Sequence, residues 1–285
     1  MSTIHDRRRT FRKLHEGPGA FVIPNPWNVG TTRYLQHLGF KALATTSAGI
    51  AFQDGLPDAN WAVPRDVMLA HIREIVEATD LPVNADFESG YAHEPEDLAA
   101  NVRLCLDTGV AGLTIEDATG DRNRPLYQEA FAAERIAAAR SAIDASATGV
   151  LLTARTDLAV GGDPRRFDDA LRRLVAYAEA GADCVYAPTG ATADEIRTLV
   201  AAVAPKPVSV IVSPAVGLNV RDYEALGVKR VSGGSALCRL AWGAFMAAAG
   251  AVASGSFAAY ATAVPFEEIN EFFRADLARG RRPLP

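Results

Sequence analysis

The sequence predicts a (β/α)8 TIM barrel that carries an extra C-terminal helix. Three observations predict it. Eight short, apolar, β-branched runs alternate with longer stretches of helical periodicity along the 285 residues. Near-continuous apolar runs are what strands covered on both faces look like, as parallel strands are. Helix ends are followed by Gly and then a strand, in Leu38-Gly39-Phe40, Thr108-Gly109-Val110, Ala180-Gly181-Ala182 and Leu226-Gly227-Val228. Gly suits the left-handed residue that closes a helix. The unit recurs every ~30–40 residues, as βα units of a barrel do. A doubly wound open sheet is the alternative, but no G-x-G-x-x-G follows the first strand.

The strands are expected at 21–25, 42–47, 82–88, 112–117, 150–156, 184–189, 207–213 and 228–234. Between them, helical periodicity covers 64–78, 95–107, 131–146, 164–180 and 192–204. Asp163-Pro164 reads as a helix start, a capping Asp followed by Pro in the first turn. The alanine-rich stretch 236–253 is expected as the eighth barrel helix, buried rather than spanning a membrane, because it contains Arg239 and is only weakly apolar. Phe266, Ile269, Phe272, Phe273 and Leu277 then form the stripe of one more amphipathic helix, which must pack outside the barrel or on another subunit. No shift of composition divides the chain. It is expected to be one barrel domain over 1–285, with 255–285 as a helical extension.

Composition narrows the function. The chain is 49% hydrophobic and 22% charged, with 29 Lys and Arg against 34 Asp and Glu. That balance excludes a disordered chain and argues against nucleic-acid binding, which needs clustered positive charge. The two basic runs, at residues 7–9 and 279–282, read as solvated tails. Cys105, Cys184 and Cys238 are odd in number and far apart, with no Cys/His cluster that would suggest zinc. They read as buried thiols in a reducing compartment, hence a cytoplasmic protein, and the N-terminus lacks a signal-peptide core.

In such a barrel the site lies at the carboxyl ends of the strands, and polar residues gather there. Strand two ends in Thr45, Thr46 and Ser47, strand three in Asn84, Asp86 and Glu88, strand four in Glu116 and Asp117, strand five in Arg155 and Asp157, and strand seven in Ser213. Asn84, Asp86 and Glu88 are two apart and point to one side of their strand. Carboxylates crowded on neighbouring strand ends repel one another, and a bound cation or a raised pKa is the simplest remedy. Oxygen-only donors favour a hard ion such as Mg2+ or Mn2+. The planar fork of Arg155 suits a carboxylate or phosphate. Taken singly, each acid could equally cap a helix; Asp117 and Asp157 could do that or orient Arg155. His93 alone among the five histidines is near a strand end.

The motifs now resemble a known family. Val83-Asn-Ala-Asp-Phe-Glu-Ser-Gly-Tyr91, Gly109-Val-Ala-Gly-Leu-Thr-Ile-Glu-Asp117, Thr153-Ala-Arg-Thr-Asp157 and Glu179-Ala-Gly-Ala-Asp183 are similar, in order, to the D-A-D-T-G-Y-G, A-G-V-A-G-I-x-I-E-D, A-R-T-D and E-A-G-A-D segments of the isocitrate lyase/phosphoenolpyruvate mutase superfamily. Pro24-Asn-Pro-Trp-Asn28 resembles its opening. The resemblance implies a Mg2+-dependent barrel that breaks or makes a C–C or P–C bond beside the carbonyl of a small 2-oxo or 2-hydroxy carboxylate, through an enolate. It implies Asp86 as the main metal carboxylate, with Asn84 and Glu116 on the ion directly or through water and Glu88 as an added carboxylate close by. Trp27, Thr46, Ser47, Ala48, Asp86, Arg155 and Ser213 would line the substrate. Asp58, Glu116 and Arg155 would serve catalysis. It also implies a homo-oligomer, dimer or tetramer, with a late helix swapped between subunits.

Four departures matter. The family's first metal-site Asp is Asn84 and its opening Asp is Asn28. Its T-G is Phe87-Glu88. The lyases carry K-K-C-G-H on the loop after the I-E-D strand, and that Cys protonates the leaving carbanion. Here residues 118–127 contain neither Cys nor His. Asp121, Arg122, Arg124 and Tyr127 are the polar candidates left on the loop. The leading expectation is therefore a C–C lyase. The alternatives are a phosphonopyruvate mutase or hydrolase, with Arg122 and Arg124 meeting the phosphonate, and a non-catalytic binder of 2-oxo acids that has lost its acid.

Overall fold

The computed structural model describes residues 2–159, 163–187, 189–212 and 217–279. Eight parallel strands form one sheet in the order β1-β8-β7-β6-β5-β4-β3-β2. They are β1 (Phe21–Ile23), β2 (Leu43–Ala44), β3 (Val83–Asp86), β4 (Gly112–Glu116), β5 (Leu151–Arg155), β6 (Cys184–Tyr186), β7 (Val208–Ile211) and β8 (Arg230–Ser232). The seam between β1 and β2 is closed by the Ala44 amide donating to the Pro24 carbonyl at 3.0 Å and by Asn25 Nδ2 donating to the Thr45 carbonyl at 3.1 Å. A sheet with no free edge is a barrel, and the expected (β/α)8 fold is what the chain adopts.

The helices that lie around and across the strands are α1 (Ile4–Glu16), α2 (Val29–His37), α3 (Ser47–Gln53), α4 (Arg65–Glu77), α5 (Pro95–Leu106), α6 (Glu129–Ser146), α7 (Pro164–Glu179), α8 (Ala193–Val203), α9 (Val220–Ala225), α10 (Ala236–Ala253) and α11 (Phe266–Ala278). Gly39, Gly109, Gly181 and Gly227 all have φ between 82° and 107°, the left-handed geometry expected of residues that end a helix. Asp163 accepts from the Arg165 amide as the cap of α7.

One basic run is not a solvated tail. Residues 7–9 lie on α1, which crosses the amino-terminal mouth of the barrel. Arg7 Nη1 donates to the carbonyls of Val76 and Thr79 at 2.9 and 3.0 Å, at the end of α4. Arg8 donates to those of Leu106 and Val110, at 3.0 and 2.9 Å, at the end of α5. Cations beside carbonyls left over at a helix end are doubly satisfied, by hydrogen bond and by macrodipole. On the inner face of α1, fully buried Phe11 packs with Phe21, Ile23, Ala42, Ala44, Ala111 and Leu151 into a plug. Gly112 makes room for it: a Cβ there would lie 2.5 Å from Phe11 Cε1 and 2.8 Å from Asn84 Oδ1. Of the other basic run, only Arg279 is among the described residues.

The expectation for α10 is corrected. The helix occupies the expected residues, yet within this chain only Cys238 of it is buried. Leu240, Phe245 and Met246 are each more than 60% exposed. By length and composition alone it would be long enough to cross a membrane. α11 folds back on α2: Phe272 packs edge-on against Tyr34 and His37, and Asp276 lies 3.6 Å from Arg33.

Candidate active site

Strand register builds the site. Glu116 and Arg155 are register partners at the ends of β4 and β5, so their side chains leave the sheet side by side. Arg155 Nη1 lies 3.3 Å from Glu116 Oε2, and Nη2 lies 2.6 Å from Asp157 Oδ1. Behind them, buried Asp117 accepts from Thr156 Oγ1 and the Asp157 amide at 2.8 Å each, from Tyr177 at 2.7 Å and from Arg173 at 3.2 Å. Asp117 thus fixes the backbone that presents Asp157, and Asp157 fixes Arg155. On β3, Asp86 Oδ2 accepts from both the amide and the hydroxyl of Ser47, at 3.0 and 3.1 Å.

Glu116, Arg155 and Asp157 open onto a cavity of about 380 Å³ lined also by Ser47, Asp58, Glu88 and neighbours from the loops. Electrostatics there is lopsided. Burial pushes the Glu116 carboxyl well above the usual range, and Asp157 pushes it further although Arg155 pulls it back. Burial raises Asp157 against the pull of Arg155. Asp58 is raised by burial and by Asp86. Glu88 is pushed up to about 7, chiefly by burial, although the Tyr91 hydroxyl donates to it at 2.5 Å. Burial opposes the Arg155 charge, yet Glu116 and Asp157 outweigh it, so the guanidinium stays protonated. Several carboxyls raised together mark a place that favours added positive charge.

The expected residues fall into three groups. Asp58, Glu88, Glu116 and Arg155 line one cavity with Ser47, and Asp86, bonded to Ser47, lies beside the barrel interior. Others have structural partners. Thr46 caps α3 by accepting from the Gly49 amide, and Ala48 is buried in the first turn of that helix. Trp27 packs beside Gly49, where a Cβ would lie 2.9 Å from Trp27 Cβ, and does not line the acidic cavity. Asn84 sits lower in the barrel: its Nδ2 donates to Thr114 Oγ1 at 3.0 Å, and its Oδ1 lies 3.5 Å from Nη1 of buried Arg230. Ser213 lies outside the described residues. Of the loop candidates, Asp121 and Arg122 line the cavity, while Arg124, Tyr127 and also His93 line a neighbouring hollow. Trp61, which lines both, was not foreseen; it lies between α3 and α4, away from any strand end.

No three His, Cys, Asp or Glu side chains among the described residues close on a single metal position. The donors fit a hard cation of a particular kind, one that keeps most of its water. Asp86 offers one carboxylate, and Asp58, Glu88 and Glu116 ring the space above it. Mg2+ dehydrates reluctantly and is commonly held by one or two carboxylates plus water.

Residues 11–253 match the family described as phosphoenolpyruvate phosphomutase. The chain belongs to this family. It is an enzyme of the isocitrate lyase/phosphoenolpyruvate mutase superfamily, whose members are lyases and mutases. The chain is similar to a Burkholderia cenocepacia J2315 protein described as a lyase/mutase, with a TM-score of 0.87 and 46% identity over 95% of this chain and 96% of that one. It is 30% identical over 190 residues to 2-methylisocitrate lyase of Escherichia coli strain K12, covering 65% of this chain and 62% of the lyase. It shares its fold, at TM-score 0.81 and 23% identity over 98% of each chain, with a phosphonopyruvate hydrolase crystallised with oxalate and Mg2+.

Proposed function

We propose that this family member is a Mg2+-dependent lyase. It cleaves a C–C bond beside the carbonyl of a small 2-oxo or 2-hydroxy carboxylate, leaving the electrons in an enolate. The observation that carries the reading is the ring of acidic side chains facing the Arg155 fork. Arg155, gripped by Glu116 and Asp157, receives the substrate carboxylate as a preorganised bidentate donor. Asp86 would hold the cation directly, with Glu88, Glu116 and Asn84 reaching it through water. A divalent ion bound there supplies a Lewis acid for the carbonyl oxygen that gains charge. Ser47, donating twice to Asp86, keeps that carboxylate aimed. Asp58 lines the cavity and shares Ser47 with Asp86; it takes the proton-transfer role that no loop Cys can fill here. Replacing Asp86 with Ala is expected to abolish both Mg2+ affinity and turnover across a panel of 2-oxo and 2-hydroxy acids. Survival of both would overturn the assignment.

A second reading rests on Arg122, which lines the acidic cavity from the loop after β4 and could meet a phosphonate. Phosphorus NMR of phosphonopyruvate incubated with the protein separates the two, since an unchanged signal rejects P–C chemistry.

The exposed face of α10 fits an oligomer, in which a second copy covers Leu240, Phe245 and Met246. Light scattering should then give a mass several times 30.3 kDa, and a clean monomer would refute it. The reducing cytoplasm is the compartment consistent with three free, buried cysteines.

A further inference from the structure

The acidic cavity has a neighbour beyond Trp61. A second hollow of about 890 Å³ lies against it, and Asn60, Trp61, Gly120, Asp121 and Leu126 belong to the walls of both. The far wall of the second hollow is aromatic. Trp61 and His93 have ring centres 5.0 Å apart, His93 and Tyr127 6.0 Å, and Tyr127 and Phe131 5.6 Å.

This wall is held in place from behind. Arg135, 1% exposed, lies 4.3 Å from the centre of the Tyr127 ring. Its guanidinium donates to the carbonyls of Ser89, Ala92 and His93, pinning the segment that follows β3. The Tyr127 hydroxyl is 2.6 Å from His93 Nδ1, and Trp61 Nε1 donates to Ser89 Oγ at 3.1 Å. The chain turns into Trp61 through two successive residues with positive φ, Asn60 at 50° and Trp61 itself at 54°. Residues other than Gly avoid that region. The surroundings hold it here, and it sets the indole between the two spaces.

None of these rings is needed to bind a carboxylate, a carbonyl or a cation. A substrate of three or four carbons is accommodated by the acidic cavity alone, whereas about 890 Å³ lies in the range of ~300–1,000 Å³ typical of pockets for larger organic ligands. The geometry points to a substrate with two ends: a 2-oxo carboxylate head on Arg155 and a bulky apolar tail, an aryl or branched alkyl group on the part that leaves, stacked on Trp61, Tyr127 and Phe131. The inference rests on the 2-oxo-acid reading above and adds the substrate class.

Isothermal calorimetry in Mg2+ with oxalate, pyruvate and phenylpyruvate tests it. Oxalate fills only the head site, and pyruvate and phenylpyruvate differ by the ring alone. The wild-type protein is expected to bind phenylpyruvate at least about tenfold tighter than pyruvate, the worth of a buried aromatic ring. In Trp61→Ala and in Phe131→Leu that ratio should fall to about threefold or less. The ratio is internal to each variant and therefore independent of how much of it folds. If oxalate binds and phenylpyruvate shows no advantage, or if the advantage survives both substitutions, the aromatic tail site is overturned while the head site stands. If oxalate itself fails to bind the wild-type protein, the 2-oxo-acid reading falls and this inference falls with it.

Discussion

Arg155 is clasped between Glu116 on its own level of the barrel and Asp157 two residues along its own chain, at 3.3 and 2.6 Å. The pair of acids does two things at once. It keeps the guanidinium charged and it leaves no freedom in the direction of its fork. Arg155→Lys keeps the charge and loses the fork. A charge-assisted hydrogen bond is worth ~1.5–3 kcal/mol, so oxalate affinity should fall by roughly one to two orders of magnitude. Asp157→Asn should give a smaller loss in the same titration. An unchanged affinity in Arg155→Lys would exclude Arg155 as the carboxylate anchor.

Asp117 is a separate case, because it touches neither cavity nor substrate. It gathers Thr156, Asp157, Arg173 and Tyr177. Asp117→Ala takes the buried carboxylate from Arg173, which keeps Asp169 at 3.6 Å, and strands the buried donors of Thr156, Asp157 and Tyr177, a change that costs at least ~2–3 kcal/mol. Urea denaturation should show it as a drop in midpoint. Tyr177→Phe removes one neutral donor and should cost about 1 kcal/mol. Equal effects from the two would mean that charge has no part in the cluster.

The fit between Gly112 and Phe11 is open to a double-mutant cycle. Gly112→Ala drives a methyl to within 2.5 Å of the Phe11 ring and should destabilise by ~1–3 kcal/mol. Phe11→Ala empties the plug and should cost ~3–5 kcal/mol. Together they should cost clearly less than the sum, because the small ring-free side chain accepts the new methyl. Strict additivity in thermal or urea unfolding would refute the close approach.

Stability should also depend on pH through His15. Burial, with Arg230 adding repulsion, lowers its pKa to about 3 from 6.5. Its Nδ1 is 2.9 Å from the Phe11 carbonyl, to which the neutral ring donates. The folded chain therefore keeps His15 neutral while the unfolded chain takes up a proton below pH 6.5. Stability contributed by the neutral ring is present above that pH and is lost as pH falls toward 3, at up to about 1.4 kcal/mol per unit. The acidic cavity titrates in the opposite sense, so the difference between wild type and His15→Phe isolates the effect. A pH-independent difference between pH 4 and 7 would exclude it.

The eight strands were legible because burial on both faces leaves an unbroken apolar run, and Gly39, Gly109, Gly181 and Gly227 marked the unit boundaries. The closeness of Asp86, Glu116 and Arg155 was legible because they end three neighbouring strands. Arg7 and Arg8 were misread, since a basic run looks the same whether its acceptors are water or helix carbonyls 69 to 102 residues away. For Thr46 and Asn84 the sequence gives the place at a strand end, and only the structure shows that the Gly49 amide, Thr114 and Arg230 engage them there. For α10, composition predicts a helix that must be covered and is silent on whether the same chain covers it. Trp61 left no mark at all, because a loop residue acquires its role from backbone torsions.

The seal that α1 forms has a temporal side. Its arginines are synthesised before any of the carbonyls they clasp, and before the Gly112 notch that admits Phe11. On a growing chain this segment must wait, charged and amphipathic, until α5, β4 and β5 have left the ribosome, so α1 completes its docking only after more than half of the strands exist.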